Sequence, residues 1–402
     1  MKRRLLFLLI LMTMLYAETI QRDRTALRKG PGAWFPLIVE LNKGTDVKIL
    51  KANEVWVEVQ IGANSGFVSA KALEGKSEKS KDVFARMAMM KPSTQVSQAG
   101  VSAAIKGFAD RFSSRLEADP TTLNYIVNYE TNFHTYEVFK KNTLSEKQLK
   151  KLRRKFRLSK LGKDRPFTFS EEGSGLAVAA KLASLGLVKN PILEQYINIV
   201  GTYVAEQSHG YDIPFRFFIL DQDGVNGYAC PGGIIFITRG AVELMHSEAE
   251  LACFLGHEIT HVVYRHGMQE MEERKEMIIA GNAFDDLSNT IGESTEDRRV
   301  SLELDDIALD SYETIFQGRL GDYEEEADEI GLLYAARSGY EPQAMLDFLK
   351  RVGSTHSMQG TEHYSPAQND LRIKRLSKYL KHKRWQKKGL TLHTERFNRI
   401  KK

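Results

Sequence analysis

Two histidines four positions apart, with a glutamate between them, constrain this chain more than any other feature: His257, Glu258 and His261 in Leu255-Gly256-His257-Glu258-Ile259-Thr260-His261-Val262-Val263. On a helix, imidazoles at i and i+4 lie one above the other on the same face. Glu258 then projects from an adjacent angle toward an open coordination position, an arrangement suited to metal-assisted hydrolysis. Taken alone the match is only moderately specific, so its surroundings must supply the helix. Ser247-Glu248-Ala249-Glu250 reads as a capping box, and Leu251, Leu255, Val262 and Val263 form an apolar side, which predicts a helix from about 248 to 270.

Two imidazoles leave a catalytic zinc one protein ligand short. The metzincin continuation needs Gly three residues after the second histidine and a third histidine ten after the first, but those positions hold Tyr264 and Gly267. His266 comes half a turn round the helix axis from His257, so it is expected to face away from the metal as a structural or solvated residue. The remaining arrangement takes a carboxylate from a second helix. Asp322-Tyr323-Glu324-Glu325-Glu326-Ala327-Asp328-Glu329-Ile330-Gly331 is the best candidate. Glu324 and Asp328 share a face there, so Glu324 can bind zinc while Asp328 accepts the free N–H of a ligating imidazole and fixes its tautomer. Glu325 and Glu326 are the neighbouring alternatives to Glu324.

Several motifs then coincide in order. Asn226-Gly227-Tyr228-Ala229-Cys230-Pro231-Gly232-Gly233, continuing through Ile234-Ile235-Phe236-Ile237-Thr238-Arg239-Gly240, resembles the Asn-Ala-Phe-x-x-Pro-Gly-Gly strand and turn of the gluzincin metallopeptidases of the CAAX prenyl protease and HtpX type. After it come HEITH at 257–261, Glu324-x-x-Ala327-Asp328 and Gly339-Tyr340-Glu341-Pro342. The resemblance spans about residues 165 to 380. Gly227 departs from the usual Ala, and the late His-Pro motif is stretched to His363-Tyr364-Ser365-Pro366. The resemblance implies a zincin-type domain with one zinc ion per chain, held by His257, His261 and Glu324, and Glu258 as general base. It also implies that the edge of the strand Gly233-Ile234-Ile235-Phe236 holds an extended peptide, and that His363 or Arg372 contacts the oxyanion or covers the cleft. The chemistry follows from the donor set: a three-ligand zinc lowers the pKa of water to about 7, and Glu258 takes its proton and returns it to the leaving amine.

The start of the chain has the form of a secretory signal, with basic Met1-Lys2-Arg3-Arg4, apolar Leu5 to Met12 and a cleavage site expected after Ala17. No other window approaches the roughly 20 apolar residues that span a bilayer. The mature protein is therefore expected to be exported to the periplasm or envelope without an integral span. Three of the five formal positive charges lie in that leader, which leaves +2 and gives no reason to expect a nucleic-acid partner. Basic runs from Lys140 to Arg165 and from Arg372 to Lys402 read as solvated helix faces. With only Cys230 and Cys253, a disulfide framework and a thiolate zinc cluster are excluded. Both cysteines replace apolar residues and are expected to be buried free thiols.

A length of 402 residues asks for more than one domain. Residues 18–75 alternate apolar and polar residues in short runs such as Val55-Trp56-Val57-Glu58-Val59, broken at Gly30-Pro31-Gly32, Lys43-Gly44 and Asn64-Ser65-Gly66. They resemble a bacterial SH3-like domain, which implies contact with peptidoglycan or protein. A charged linker follows, then a mostly helical region at 82–164 without a chemical motif, then the metallopeptidase domain at 165–402. The fold class expected is α+β: a mainly helical zincin-type domain with a small β-sheet, preceded by a small all-β SH3-like barrel. The reading that results is an exported zinc endopeptidase acting on unfolded or misassembled envelope proteins. The alternatives are an assembly or binding factor with latent protease activity, and a peptidase that cleaves peptidoglycan cross-links.

Overall fold

The computed structural model describes residues 17–53, 55–74, 120–159, 167, 169–269, 321–354, 366–383, 385 and 390–401. Residues 1–16 of the expected leader, His363 and nearly all of the charged linker lie outside the described residues, whereas Ala17, expected to end the leader, begins the first strand. The chain divides into two compact units between Glu78 and Lys79.

The first unit holds strands β1 (Ala17–Thr19), β2 (Thr25–Arg28), β3 (Leu37–Leu41), β4 (Asp46–Ala52), β5 (Trp56–Ile61) and β6 (Asn64–Ser69). They form one antiparallel sheet in the order β1-β4-β5-β6-β2-β3, an all-β arrangement compatible with an SH3-like domain. Period-2 alternation turns Leu27, Leu41, Val47, Val57, Val59 and Val68 inward around Ile20. One predicted turn is displaced. Asn64-Ser65-Gly66 begins β6, and the reversal occurs just before it at Gly62-Ala63, where Gly62 takes the left-handed conformation (φ 55°) that a tight hairpin loop requires.

In the second unit the described elements begin with α1 (Pro120–Asn128), α2 (Phe133–Thr143) and α3 (Glu146–Lys155). Asn132 caps α2, and a Ser145/Gln148 capping box starts α3. There follow α4 (Phe169–Ala183), α5 (Pro191–Ala205), β7 (Arg216–Leu220), β8 (Gly227–Cys230), β9 (Ile234–Thr238), α6 (Arg239–Leu244) and α7 (Glu248–Tyr264). The last are α8 (Gly321–Arg337), α9 (Gln343–Ser354), α10 (Pro366–Lys383) and α11 (Thr394–Lys401). Among the described residues no helix is long and apolar enough to cross a membrane.

The small sheet has the order β7-β9-β8, with β7 parallel and β8 antiparallel to β9. Alternate side chains divide between its faces. Phe218, Leu220, Tyr228, Cys230, Ile234 and Phe236 pack with Val178, Ala179 and Leu182 of α4. On the opposite face Phe217 lies so close to Gly201 of α5 that a Cβ there would come within 2.3 Å of the ring. Cys230 and Cys253 are free and buried, and burial pushes the Cys253 thiol well above its usual range.

This topology corrects the expected role of Gly233, Ile234, Ile235 and Phe236. Residues 234–236 belong to β9, the central strand, whose main chain is paired on both sides, and Gly233 leads into it. The strand at the sheet's edge, beside the HEITH helix, is β8.

Candidate metal centre

Buried polar contacts fix α7 at its N-terminal end. The Ser247 side chain accepts the Glu250 N–H at 3.3 Å, but Glu250 turns to the His246 N–H at 2.9 Å and to Arg351 rather than back to Ser247. Half of the predicted capping box therefore forms. Glu248 is fully buried and accepts hydrogen bonds from the Tyr340 hydroxyl at 2.7 Å, the Tyr196 hydroxyl, and Nε and Nη2 of Arg396. From Glu248 to Val263 every residue of the helix is buried. Such a helix cannot rotate to present another face, so the orientation of its histidines is set by packing.

Two glycines bring the carboxylate-bearing helix against it. A Cβ on Gly256 would lie 2.6 Å from the Gly331 carbonyl oxygen, and one on Gly331 would lie 2.5 Å from the His257 nitrogen. Only where both residues lack a side chain can α7 and α8 cross this closely. The crossing carries Glu324 and Asp328, one turn apart on α8, to the histidine face of α7.

At that crossing the two Nε2 atoms of His257 and His261 are 3.0 Å apart. Glu324 reaches His257 Nε2 at 3.3 Å with Oε2 and His261 Nε2 at 3.2 Å with Oε1. His257, His261 and Glu324 are the one group among the described residues placed to hold a metal ion. Their donor set fits zinc: lone-pair donors repel at these separations unless a cation or proton lies among them, and tetrahedral zinc bonds of about 2.0–2.2 Å hold ligands some 3.3–3.5 Å apart.

The far nitrogens are occupied elsewhere. Asp328 Oδ1 lies 3.0 Å from His257 Nδ1. Asp328 in turn accepts from Arg372 Nη2 at 2.7 Å and Nε at 2.8 Å, and from Arg375 Nη2 at 2.6 Å. Burial opposes ionisation of Asp328, but the Arg372 guanidinium and the His257 hydrogen bond outweigh it and hold the carboxyl down at about 2. Burial likewise disfavours charge on His257, yet the Glu324 and Asp328 carboxylates push it up to about 9. Glu324 is held well below its ordinary value despite burial, by the facing imidazoles of His257 and His261.

Glu258 is 4 % exposed, and its carboxylate rests against Gly227 at the start of β8. A Cβ on Gly227 would come within 2.3 Å of Glu258 Oε1, so the glycine that departs from the family's alanine provides room for this carboxylate.

Three expectations need correction here. Arg372 does not face an oxyanion position: its Nε and Nη2 are engaged by Asp328 on the Nδ1 side of His257, behind the ligand nitrogen. The HEITH helix stops at Tyr264, short of 270, because Arg265 adopts the left-handed conformation (φ 56°, ψ 37°). His266, expected to face away from the metal as a structural or solvated residue, is instead turned back toward His261. It is fully buried, with Nδ1 2.9 Å from His261 Nδ1 and Nε2 3.1 Å from Glu326 Oε2. Arg375 adjoins the site through Asp328, Glu326 meets His266 instead of serving as an alternative ligand to Glu324, and Gly227 lies against Glu258. Arg375 was detectable in principle, being three residues after Arg372 on one helix face.

Residues 191–379 match the model of Peptidase family M48. The chain is 31% identical over 171 residues to the beta-barrel assembly-enhancing protease of Yersinia pestis, covering 42% of this chain and 35% of that protein. Its counterpart in Escherichia coli strain K12 is 31% identical over 175 residues, covering 42% and 34%. Mitochondrial metalloendopeptidase OMA1 of Arabidopsis thaliana is 27% identical over 154 residues, covering 37% and 28%. The chain thus spans about a third of the length of these curated relatives. The matched residues 191–379 contain both site helices and the small sheet.

Proposed function

We propose that this chain is an exported zinc endopeptidase acting on unfolded or misassembled proteins of the bacterial envelope. The observation that carries the reading is the convergence of His257, His261 and Glu324 at 3.0–3.3 Å, with Glu258 beside them on the same helix. Zinc held there would polarise the scissile carbonyl and make water acidic enough to be deprotonated near neutral pH. Glu258 is the general base, taking the proton from water and delivering it to the amine that leaves. Such a transfer contributes typically about 10²–10⁴ in rate. Asp328 keeps the His257 ring turned with Nε2 toward the ligand position, and Arg372 and Arg375 keep Asp328 charged.

The edge strand β8 provides the place for substrate. An extended peptide adding to it would run past Gly227 and Glu258, and main-chain pairing selects segments without stable structure of their own. The relatives named for enhancing β-barrel assembly favour envelope proteins as the substrate class, and the basic and apolar leader favours export.

The test compares mature wild type with Glu258→Gln for zinc stoichiometry and for cleavage of casein as an unfolded substrate. One zinc in each, with cleavage by wild type alone, is the expected result. Zinc in both without cleavage by either would replace the endopeptidase reading with that of an assembly factor with latent activity, and release of peptide fragments from peptidoglycan alone would replace it with cross-link hydrolysis.

A further inference from the structure

We propose that His266 is a positioning residue for the metal centre, holding His261 through an imidazole–imidazole hydrogen bond whose far end is anchored by Glu326. The inference rests on the zinc reading above and concerns a residue that helical periodicity places on the wrong side. Five residues of uninterrupted helix would set His266 about 140° round the axis from His261. The left-handed turn at Arg265 breaks that phase and returns the ring to within 2.9 Å of His261 Nδ1.

Proton placement follows from the donor inventory. For Nε2 of His261 to offer its lone pair toward Glu324 and the metal position, its proton must sit on Nδ1. That N–H then donates to Nδ1 of His266, which must be the unprotonated nitrogen of a neutral ring, and Nε2–H of His266 donates to Glu326 Oε2 at 3.1 Å. The chain fixes both tautomers with no net charge on His266. Packing fixes the ring as well, since His266 stacks on Tyr323 of α8 with centroids 4.8 Å apart.

The turn that delivers His266 is held by contacts of its own. Arg265 Nε donates to buried Glu171 Oε1 at 2.7 Å, and its guanidinium lies over the Phe167 ring at 4.6 Å. A non-glycine residue in this conformation is strained, and it persists because the surroundings over-determine it. With His257 backed by Asp328, the arrangement gives each ligating imidazole its own outer partner, one from α8 and one from the turn that follows α7.

The test measures zinc affinity of the full chain by competition with a chromophoric chelator, alongside the visible spectrum of the cobalt(II)-substituted protein and the melting of the zinc-free form. His266→Phe keeps a ring to stack on Tyr323 and removes both nitrogens. It is expected to weaken zinc binding by about 10–100-fold and alter the cobalt bands, while zinc-free melting stays close to wild type. His266→Gln, whose amide oxygen accepts and whose amide nitrogen donates, is expected to recover most of the affinity. A folded His266→Phe with wild-type affinity and cobalt spectrum overturns the proposal, as does a glutamine variant no better than phenylalanine. If His266→Phe does not fold, partly exposed Glu326→Ala decides: a severalfold loss of zinc affinity supports the chain, and no loss overturns it. Failure of wild type itself to bind zinc would sink the metal reading, a result distinguishable from equal binding by all variants, which sinks only this inference.

Discussion

The two sides of the metal centre are built from the same helix one turn apart, yet they are secured by different chemistry. Behind His257 stands a charge cluster of Asp328 with Arg372 and Arg375, and the Asp328 side chain has no exposed surface. Behind His261 stands the His266 ring, leading to Glu326, whose side chain is 46% exposed. A buried ion cluster is rigid and costly to disturb, because removing one member strands the others without solvent. A chain of side-chain hydrogen bonds ending near water costs less to break, since water can replace its last member. The His257 side should therefore govern whether the site folds, and the His261 side how finely it is tuned.

The strongest way to break this asymmetry is Asp328→Ala, which leaves Arg372 buried with no carboxylate. Unfolding by denaturant is expected to show a loss of about 3–5 kcal/mol, against under 1 kcal/mol for Glu326→Ala. Equal losses would remove the distinction.

Titration sharpens it next. His257 must be deprotonated to ligate, and its pKa lies at about 9, so zinc affinity should rise with pH through the range 7 to 9, by about tenfold per unit while a single proton is displaced. Stability of the zinc-free protein should run the other way. The folded pKa exceeds the unfolded value of about 6.5, so the stabilisation is fully present below that value and lost as pH rises through 9. Chelator competition and melting across this range give the two slopes, and parallel slopes would contradict the placement of His257 between two carboxylates.

A smaller effect is expected at the third wall. Gly227→Ala should leave both ligand supports and zinc affinity unchanged while pushing the Glu258 carboxylate from its rest position. Displacing a reacting group by about an ångström can cost up to about a hundredfold, and a side chain that can swing away should lose nearer tenfold in kcat. A drop in zinc content instead would mean that this wall also supports the ligands. The smallest change is expected for Glu326→Gln, which keeps an acceptor for His266 and should alter zinc affinity by less than about threefold.

Much of this centre was legible because helical geometry is local. Spacings of four residues in 257–261 and 324–328 define faces whatever surrounds them, and the alternation of residues 18–75 likewise anticipates an antiparallel sheet. What periodicity could not show was the interruption at Arg265. Nothing in an arginine marks left-handed backbone, so periodicity alone carries the helix past its end and puts His266 on the outer side. Strand order was hidden for a related reason. The run Ile234-Ile235-Phe236-Ile237 is apolar at every position, as suits a strand buried on both faces, but that pattern does not say which strands pair with it. Arg372 belongs to the same class, since a basic residue reads alike whether it meets substrate or a buried aspartate.

The sequence by itself determined the chemistry available to this protein: two imidazoles and a general base on one helical face, a carboxylate pair on another, and separate β and mainly helical regions. These follow from covalent order and the fixed pitch of helix and strand. Only the tertiary structure decided which helices cross at Gly256 and Gly331, which strand is left at the edge, and which side chains stand behind each histidine. Those outcomes depend on close packing between residues distant in sequence, and pitch within one element carries no information about its neighbours.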